Sequence, residues 1–357
     1  FVSLVLALPA AAQDFGNAEE FAAGSLKNKE YSPYAGRGYP TQVFWGDTHL
    51  HTSISTDAGM LGNRLGPEDA YRFARGEEVT SSYGIPVKLL RPLDWLAVTD
   101  HTDNMGFIID LIAGNPDILA TPEGKDWHDR LKTASKDDKP EIAYEIIKAL
   151  MVTKTFPQEI YYGPDTGGYK STWERIVKAA EQYNDPGRFT ALIGYEWTST
   201  LDGNNLHRNV LYRDGGDKAL QEMPYTTTPP LGSPDPMDLW KWMARYEKQT
   251  NGRVLALAHN GNLSNGLMFP VDAQYTGRKL DKTYIEQRSK WEPLYEVTQI
   301  KGDGEAHPFL SPNDEFADYE TWDFGNIVPG NKVIAKEDQM LAREYAREAL
   351  KIGLVHE

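Results

Sequence analysis

Short apolar runs rich in β-branched and aromatic residues recur along the chain, and three of them end directly at metal-capable side chains. These are Phe44-Trp45-Gly46-Asp47-Thr48-His49-Leu50-His51, Leu96-Ala97-Val98-Thr99-Asp100-His101 and Val254-Leu255-Ala256-Leu257-Ala258-His259. The pattern predicts strands over residues 42–47, 95–99, 190–196, 209–212, 254–258 and 295–300. Helical spacing appears between them. Trp173, Ile176, Val177 and Ala180 share one face of a helix predicted over 172–183, and similar patterns occur over 67–75, 236–251 and 336–350. Strands alternating with helices predict an α/β class with a largely parallel sheet or barrel. Strand ends in such folds converge on one rim, where residues distant in sequence can meet.

Two stretches break the alternation. Residues 104–171 are too long for a minimal βα unit and hold a charged helical pattern over 139–153 and a Gly- and Pro-containing segment over 161–168, which predicts an inserted helical subdomain. Residues 212–236, with Thr226-Thr227-Thr228-Pro229-Pro230, read as a long loop. Insertions beside strand ends commonly shape substrate access. At the start, residues 1–12 form an apolar run closing on small residues with an Ala-x-Ala ending, the pattern of a signal-peptide remnant. Its removal would start the mature chain near Gln13 and place it in a periplasm or outside the cell. The run is too short to span a bilayer, so no stable membrane insertion is expected after cleavage. Residues 13–41 lack periodicity and read as an extended approach to a body over 42–357.

Composition then narrows the chemistry. The 40% hydrophobic content of 357 residues supports a full core, and the formal net charge of −15 argues against a nucleic-acid partner. Bound divalent cations would still make a local site electropositive, so a small anionic substrate fits. With no cysteine in the chain, any metal site must use imidazole and carboxylate.

His49-x-His51 places two imidazoles on the same side of a strand. With 8 histidines in the chain, chance supplies about 0.2 such pairs, so the pair alone is weak. Its company strengthens it: Asp57 follows in the next turn, and Asp100-His101, Glu196, His207 and His259 each sit at a predicted strand boundary. Such a set suits Zn, Mn or Fe, and a carboxylate such as Glu196 can bridge two ions. Adjacent divalent ions activate water near neutral pH and stabilise charge on a phosphoryl oxygen, which makes hydrolysis the natural reaction class.

The order His49-x-His51, Asp57, Thr99-Asp100-His101, Glu196, His207, Ala258-His259 resembles the motifs of the PHP (polymerase and histidinol phosphatase) superfamily. Trp45-Gly46-Asp47-Thr48-His49-Leu50-His51-Thr52, Gly194-Tyr195-Glu196-Trp197-Thr198, His207-Arg208-Asn209-Val210, Ala258-His259-Asn260-Gly261 and Gln299-Ile300-Lys301-Gly302 look more closely like the DUF3604 family. The resemblance runs from about residue 41 to 357. It implies a distorted TIM-like (β/α)7 barrel with two or three metal ions at the C-terminal strand ends. It also implies that His49, His51 and Glu196 hold one ion, Glu196, His207 and His259 a second, and Asp57 with His101 a third. The superfamily's closing Asp-x-His does not follow His259, so the last strand or strands, with ligands to the first and third ions, are expected to be missing. Beside this set, Lys301, Glu305 and His307 follow a strand and could orient an anionic substrate. Arg208 could bind a phosphate or pair with Asp47, and Asp100 could orient a ligating imidazole. His128 and His356 are assigned no role. The reading that results is an exported metal-dependent hydrolase, most naturally a phosphoesterase. Hydrolysis of a sulfate ester or amide, or a non-catalytic metal-dependent periplasmic binding protein, are its alternatives.

Overall fold

Six strands run across one curled sheet in the order in which they occur in the chain: β1 (Gly46–Leu50), β2 (Trp95–Val98), β3 (Thr190–Trp197), β4 (Arg208–Tyr212), β5 (Val254–Ala258) and β6 (Leu294–Tyr295). The computed structural model describes residues 42–135, 137–323, 325 and 335–356. The signal remnant and the approach segment predicted over 1–12 and 13–41 lie outside the described residues. The chain falls into two compact units, Phe1–Phe44 and Trp45–Glu357, and every element named here belongs to the second. No helix among the described residues is long and apolar enough to cross a membrane.

The sheet is a mixed half-barrel, and a complete (β/α)7 barrel is not formed among the described residues. Strands β1, β2 and β3 are mutually parallel and β5 and β6 are parallel, but β4 runs antiparallel to both neighbours. This departs from the largely parallel sheet expected. The cause is local: the link from Trp197 to Arg208 is too short for a helical crossover, so the chain turns back on itself.

Alternation along the strands separates two faces. On the outer face Leu96, Val98, Ile193, Tyr195, Val210, Tyr212 and Ala256 join the main core with Trp173 and Trp242. Those tryptophans come from α5 (Gly167–Tyr183) and α6 (Pro236–Thr250); the earlier helices are α1 (Pro67–Ala74), α2 (Phe107–Ala113), α3 (Pro122–Thr133) and α4 (Lys139–Ile147). Thr166 caps α5, its hydroxyl accepting from the Tyr169 amide, so the helix starts earlier than predicted. On the inner face Ala97, Leu192, Leu211, Leu255 and Leu257 form a small apolar floor. Gly194 lies just above it. A Cβ there would sit 3.0 Å from both Thr99 and Leu211, so glycine is what lets the strands close tightly below the rim.

Helices α2, α3 and α4 pack around a cluster of their own, with Phe107, Leu111, Trp127, Leu131, Ile142 and Ile146 buried together. Two predicted elements resolve differently. The first strand begins at Gly46 rather than residue 42, and the last leaves the sheet after Tyr295, since Thr298–Gln299 pairs with Gly302–Asp303 in a separate ribbon. The helix predicted over 336–350 splits into Asp338–Leu341 and Ala346–His356. Tertiary bonds override its periodicity: the amides of Ala346 and Arg347 donate to Gly304 and Glu305, at 2.9 and 3.0 Å.

Candidate metal centre

Each of the six strands delivers one titratable side chain to the same rim. His49 lies near the end of β1, His101 follows β2, Glu196 lies near the end of β3, and His259 and Glu296 follow β5 and β6 directly. The reversed β4 obeys the same geometry from its other end, because His207 immediately precedes it.

Glu196 is the hub. Its side chain is buried, and five imidazoles surround it: His51 Nε2 at 2.6 Å, His207 Nδ1 at 2.6 Å, His259 Nε2 at 3.0 Å, His101 Nδ1 at 3.4 Å and His49 Nε2 at 3.5 Å. The first ring of partners continues outward. Nδ1 of His49 faces both oxygens of Glu296 at 3.0 Å, and Nδ1 of His51 faces both oxygens of Asp57 at 3.2 Å. His101 Nε2 also reaches Asp57 at 3.4 Å, and its Nδ1 meets the Thr198 hydroxyl at 2.6 Å. His207 Nε2 meets the Thr200 hydroxyl at 2.9 Å. The His49–Glu296 contact joins the first strand to the last across the open side of the half-barrel.

This network is electrostatically uneven. Burial depresses His49, but hydrogen bonds and charges from Glu196 and Glu296 outweigh it and lift the group to about 9. His51 is raised in the same way, burial being overcome by the charges of Asp57 and Glu196. Burial pushes His207 down to about 4, and burial together with the His49 charge holds His259 well below its usual value. Glu196 itself stays ionised: burial would raise it, but the charges of His101, His259 and His51 hold it well below the carboxylate range. Asp57 is likewise lowered, by His101 and His51 against burial.

Two groups could each hold a metal ion, His49–Glu196–His259 and His51–His101–Glu196, with ligand atoms within 4.8 Å of one another. Both share Glu196, as a bridging carboxylate requires. The grouping pairs His49 with His259 and His51 with His101, unlike the sets that the resemblance implied, and leaves Asp57 and Glu296 behind the imidazoles. That outer position suits carboxylates that fix ring tautomers. The donor set fits a metal on one further count, since buried His259 Nδ1 has no hydrogen-bond partner among the described residues and the two oxygens of Glu196 face five rings.

The other residues singled out by sequence go elsewhere. Asp100, pushed up to about 6 by burial against its bonds from Thr52, accepts the Thr52 amide at 2.5 Å and hydroxyl at 2.8 Å. It therefore anchors the turn after His51 and makes no hydrogen bond to an imidazole among the described residues. Arg208 points to the outer face by strand alternation and pairs with Glu292 at 2.9 Å, not with Asp47, which accepts from the His49 amide. Lys301 lies near enough for its charge to contribute to the lowering of His207. Glu305 pairs with Arg347 at 2.6 Å and His307 with Asp323 at 2.9 Å, both apart from the histidine cluster. The sequence reading missed Glu296, although it stands directly after a Leu-Tyr strand end, the same placement that marked His259.

No curated protein and no solved structure matches this chain. A family model described as a protein of unknown function (DUF3604) matches residues 39–357, and the chain belongs to that family.

Proposed function

We propose that the rim is the multinuclear metal centre of an exported hydrolase acting on phosphoesters. The observation that carries this reading is the convergence of five imidazoles on one buried carboxylate. The resemblance of the motif order to that of PHP-type enzymes supports the same reaction class. When bound, two or three Zn, Mn or Fe ions would supply Lewis acidity and lower the pKa of water.

The chain's own groups have separable tasks. Glu196 holds the two ligand groups together, and Glu296 and Asp57 accept from Nδ1 of His49 and His51, keeping each Nε2 turned to the centre. Thr200 steadies the far nitrogen of His207, and Thr198 holds His101 at the Nδ1 that faces Glu196. Lys301 is the cation placed to meet an anionic substrate at the mouth.

The test is metal content by mass spectrometry on protein purified without chelator, followed by a panel of phosphoesters, sulfate esters and amides. Two or three equivalents of metal with phosphoester turnover, both lost in His49→Ala and Glu196→Ala, are expected. Turnover surviving both substitutions would sink the mechanism. Tight anion binding without product would instead mark a binding protein, and turnover of another bond would move the substrate class.

A further inference from the structure

A cavity of about 540 Å³ opens on the helical block away from the histidine cluster. Its wall combines apolar groups, including Ile112 and Leu119, with Arg64, His128, Lys132 and Lys139, and among the described residues it includes no carboxylate. In a chain of net charge −15 this is a local inversion of charge. Its volume is that of a small-molecule site.

Three neighbouring acids are already ion-paired with other cations. On α3, Asp129 pairs with Lys125 and Asp126 with Arg130, which also pairs with Glu145 of α4. Asp138, before α4, accepts from the Ser135 hydroxyl at 2.6 Å. Arg64, Lys132 and Lys139 form no ion pair among the described residues, and Arg64 Nη1 donates only to the carbonyls of Gly59 and Asn63, at 2.6 and 2.7 Å. The cavity is also shaped by backbone. Gly114 ends α2 at φ 76°, a left-handed conformation, and a Cβ there would lie 3.2 Å from the His128 ring. The ring is fixed by Nδ1 donating to the Leu111 carbonyl at 2.7 Å.

We propose that this cavity binds a small amphiphilic anion, a short apolar body carrying a carboxylate or phosphate head. The apolar wall takes the body and the three permanent cations take the head. The reading stands independently of the metal centre.

Isothermal titration calorimetry with octanoate and octyl phosphate tests it, with octanol and inorganic phosphate as controls for body and head alone. Saturable binding of one octanoate or octyl phosphate per chain is expected, weakened about tenfold or more by Lys132→Glu with Lys139→Glu. Ala113→Trp, which fills the cavity from an exposed position, should weaken it as well, while Glu196→Gln should leave it unchanged. Binding no tighter than that of octanol or phosphate, or insensitive to both cavity changes, would overturn the proposal. So would loss of binding in Glu196→Gln, which would place the anion at the histidine cluster. Association with anionic lipid vesicles without saturable octanoate binding would show a membrane-facing basic patch instead.

Discussion

Glu196 and Glu292 are two buried carboxylates on opposite faces of the same sheet, and their company could hardly differ more. Glu292 accepts from Arg208 and from the Trp240 indole, both at 2.9 Å, with Arg288 at 3.3 Å from its other oxygen. Guanidinium groups keep their charge at any working pH, so that site is neutralised permanently. Among the described residues the Glu196 carboxylate is met only by imidazoles, which gain and lose protons near neutrality. One carboxylate is finished as a structural element. The other is balanced only by bound protons or by a cation that replaces them, which is why it belongs to chemistry and Glu292 to architecture.

Substitution should split the pair cleanly. Glu196→Gln is expected to abolish stoichiometric metal binding and turnover while circular dichroism shows the fold retained. Glu292→Gln should do the reverse, stranding the buried guanidinium of Arg208 beside the partly buried Arg288 at a cost of about 3–5 kcal/mol in denaturant unfolding, with metal content per folded chain unchanged. If Glu196→Gln unfolds the protein and Glu292→Gln empties it of metal, the distinction fails.

A subtler change is Glu296→Gln, which leaves every ring facing Glu196 but removes the charge behind His49. Metal affinity should fall about 10–100-fold, read by competition with a chromogenic chelator. Proton linkage sharpens the same contrast. His49 is raised in the fold to about 9 from 6.5, so its contribution to metal-free stability is complete below pH 6.5 and is lost as pH climbs to about 9. His207, lowered to about 4, acts oppositely, and stability is gained as pH rises from about 4 to 6.5. Metal-free protein should therefore be most stable near pH 6.5, and metal affinity should keep rising to about pH 9 as His49 sheds its proton. Glu292 is lowered below its usual value by the charges of Arg208 and Arg288 against burial, so its pair loses stability only under acid. Unfolding midpoints across this range, with and without metal, read both behaviours, and a metal-free midpoint flat from pH 6.5 to 9 would contradict the assignment of His49.

How much of this was legible follows from what strands display in sequence. Five of the six rim groups follow short apolar runs or precede one, so His49, His101, Glu196, His207 and His259 could be read from placement alone. The strand order could not, but the reversal of β4 had a signal that went unread: Asp202-Gly203, both at positive φ, form the two-residue turn of a small ribbon pairing Thr200–Leu201 with Asn204–Asn205 inside the ten-residue link. Glu296 escaped because β6 spans only Leu294–Tyr295 and the apolar character continues to Ile300, hiding the strand end. Arg208 misled for the opposite reason: adjacency to His207 suggested shared work, whereas alternation sends neighbouring strand residues to opposite faces. Pairing of His49 with His259 was invisible, since it depends on sheet curl.

The smallest effect expected separates the rim from the loop beyond it. Glu305 and Arg347 are both more than one-third exposed, so their 2.6 Å contact should contribute less than about 1 kcal/mol. Glu305→Ala should leave metal content and kcat unchanged. Lys301→Ala, by contrast, should raise KM for an anionic substrate several-fold with kcat largely kept, the mark of a residue that binds ground and transition states alike. If Glu305→Ala lowers kcat about tenfold or more without loss of metal, the loop that carries it takes part in turnover. The boundary between chemistry and architecture would then lie outside the histidine cluster, at Arg347, and the contrast between Glu196 and Glu292 would describe the metal alone and not the whole active site.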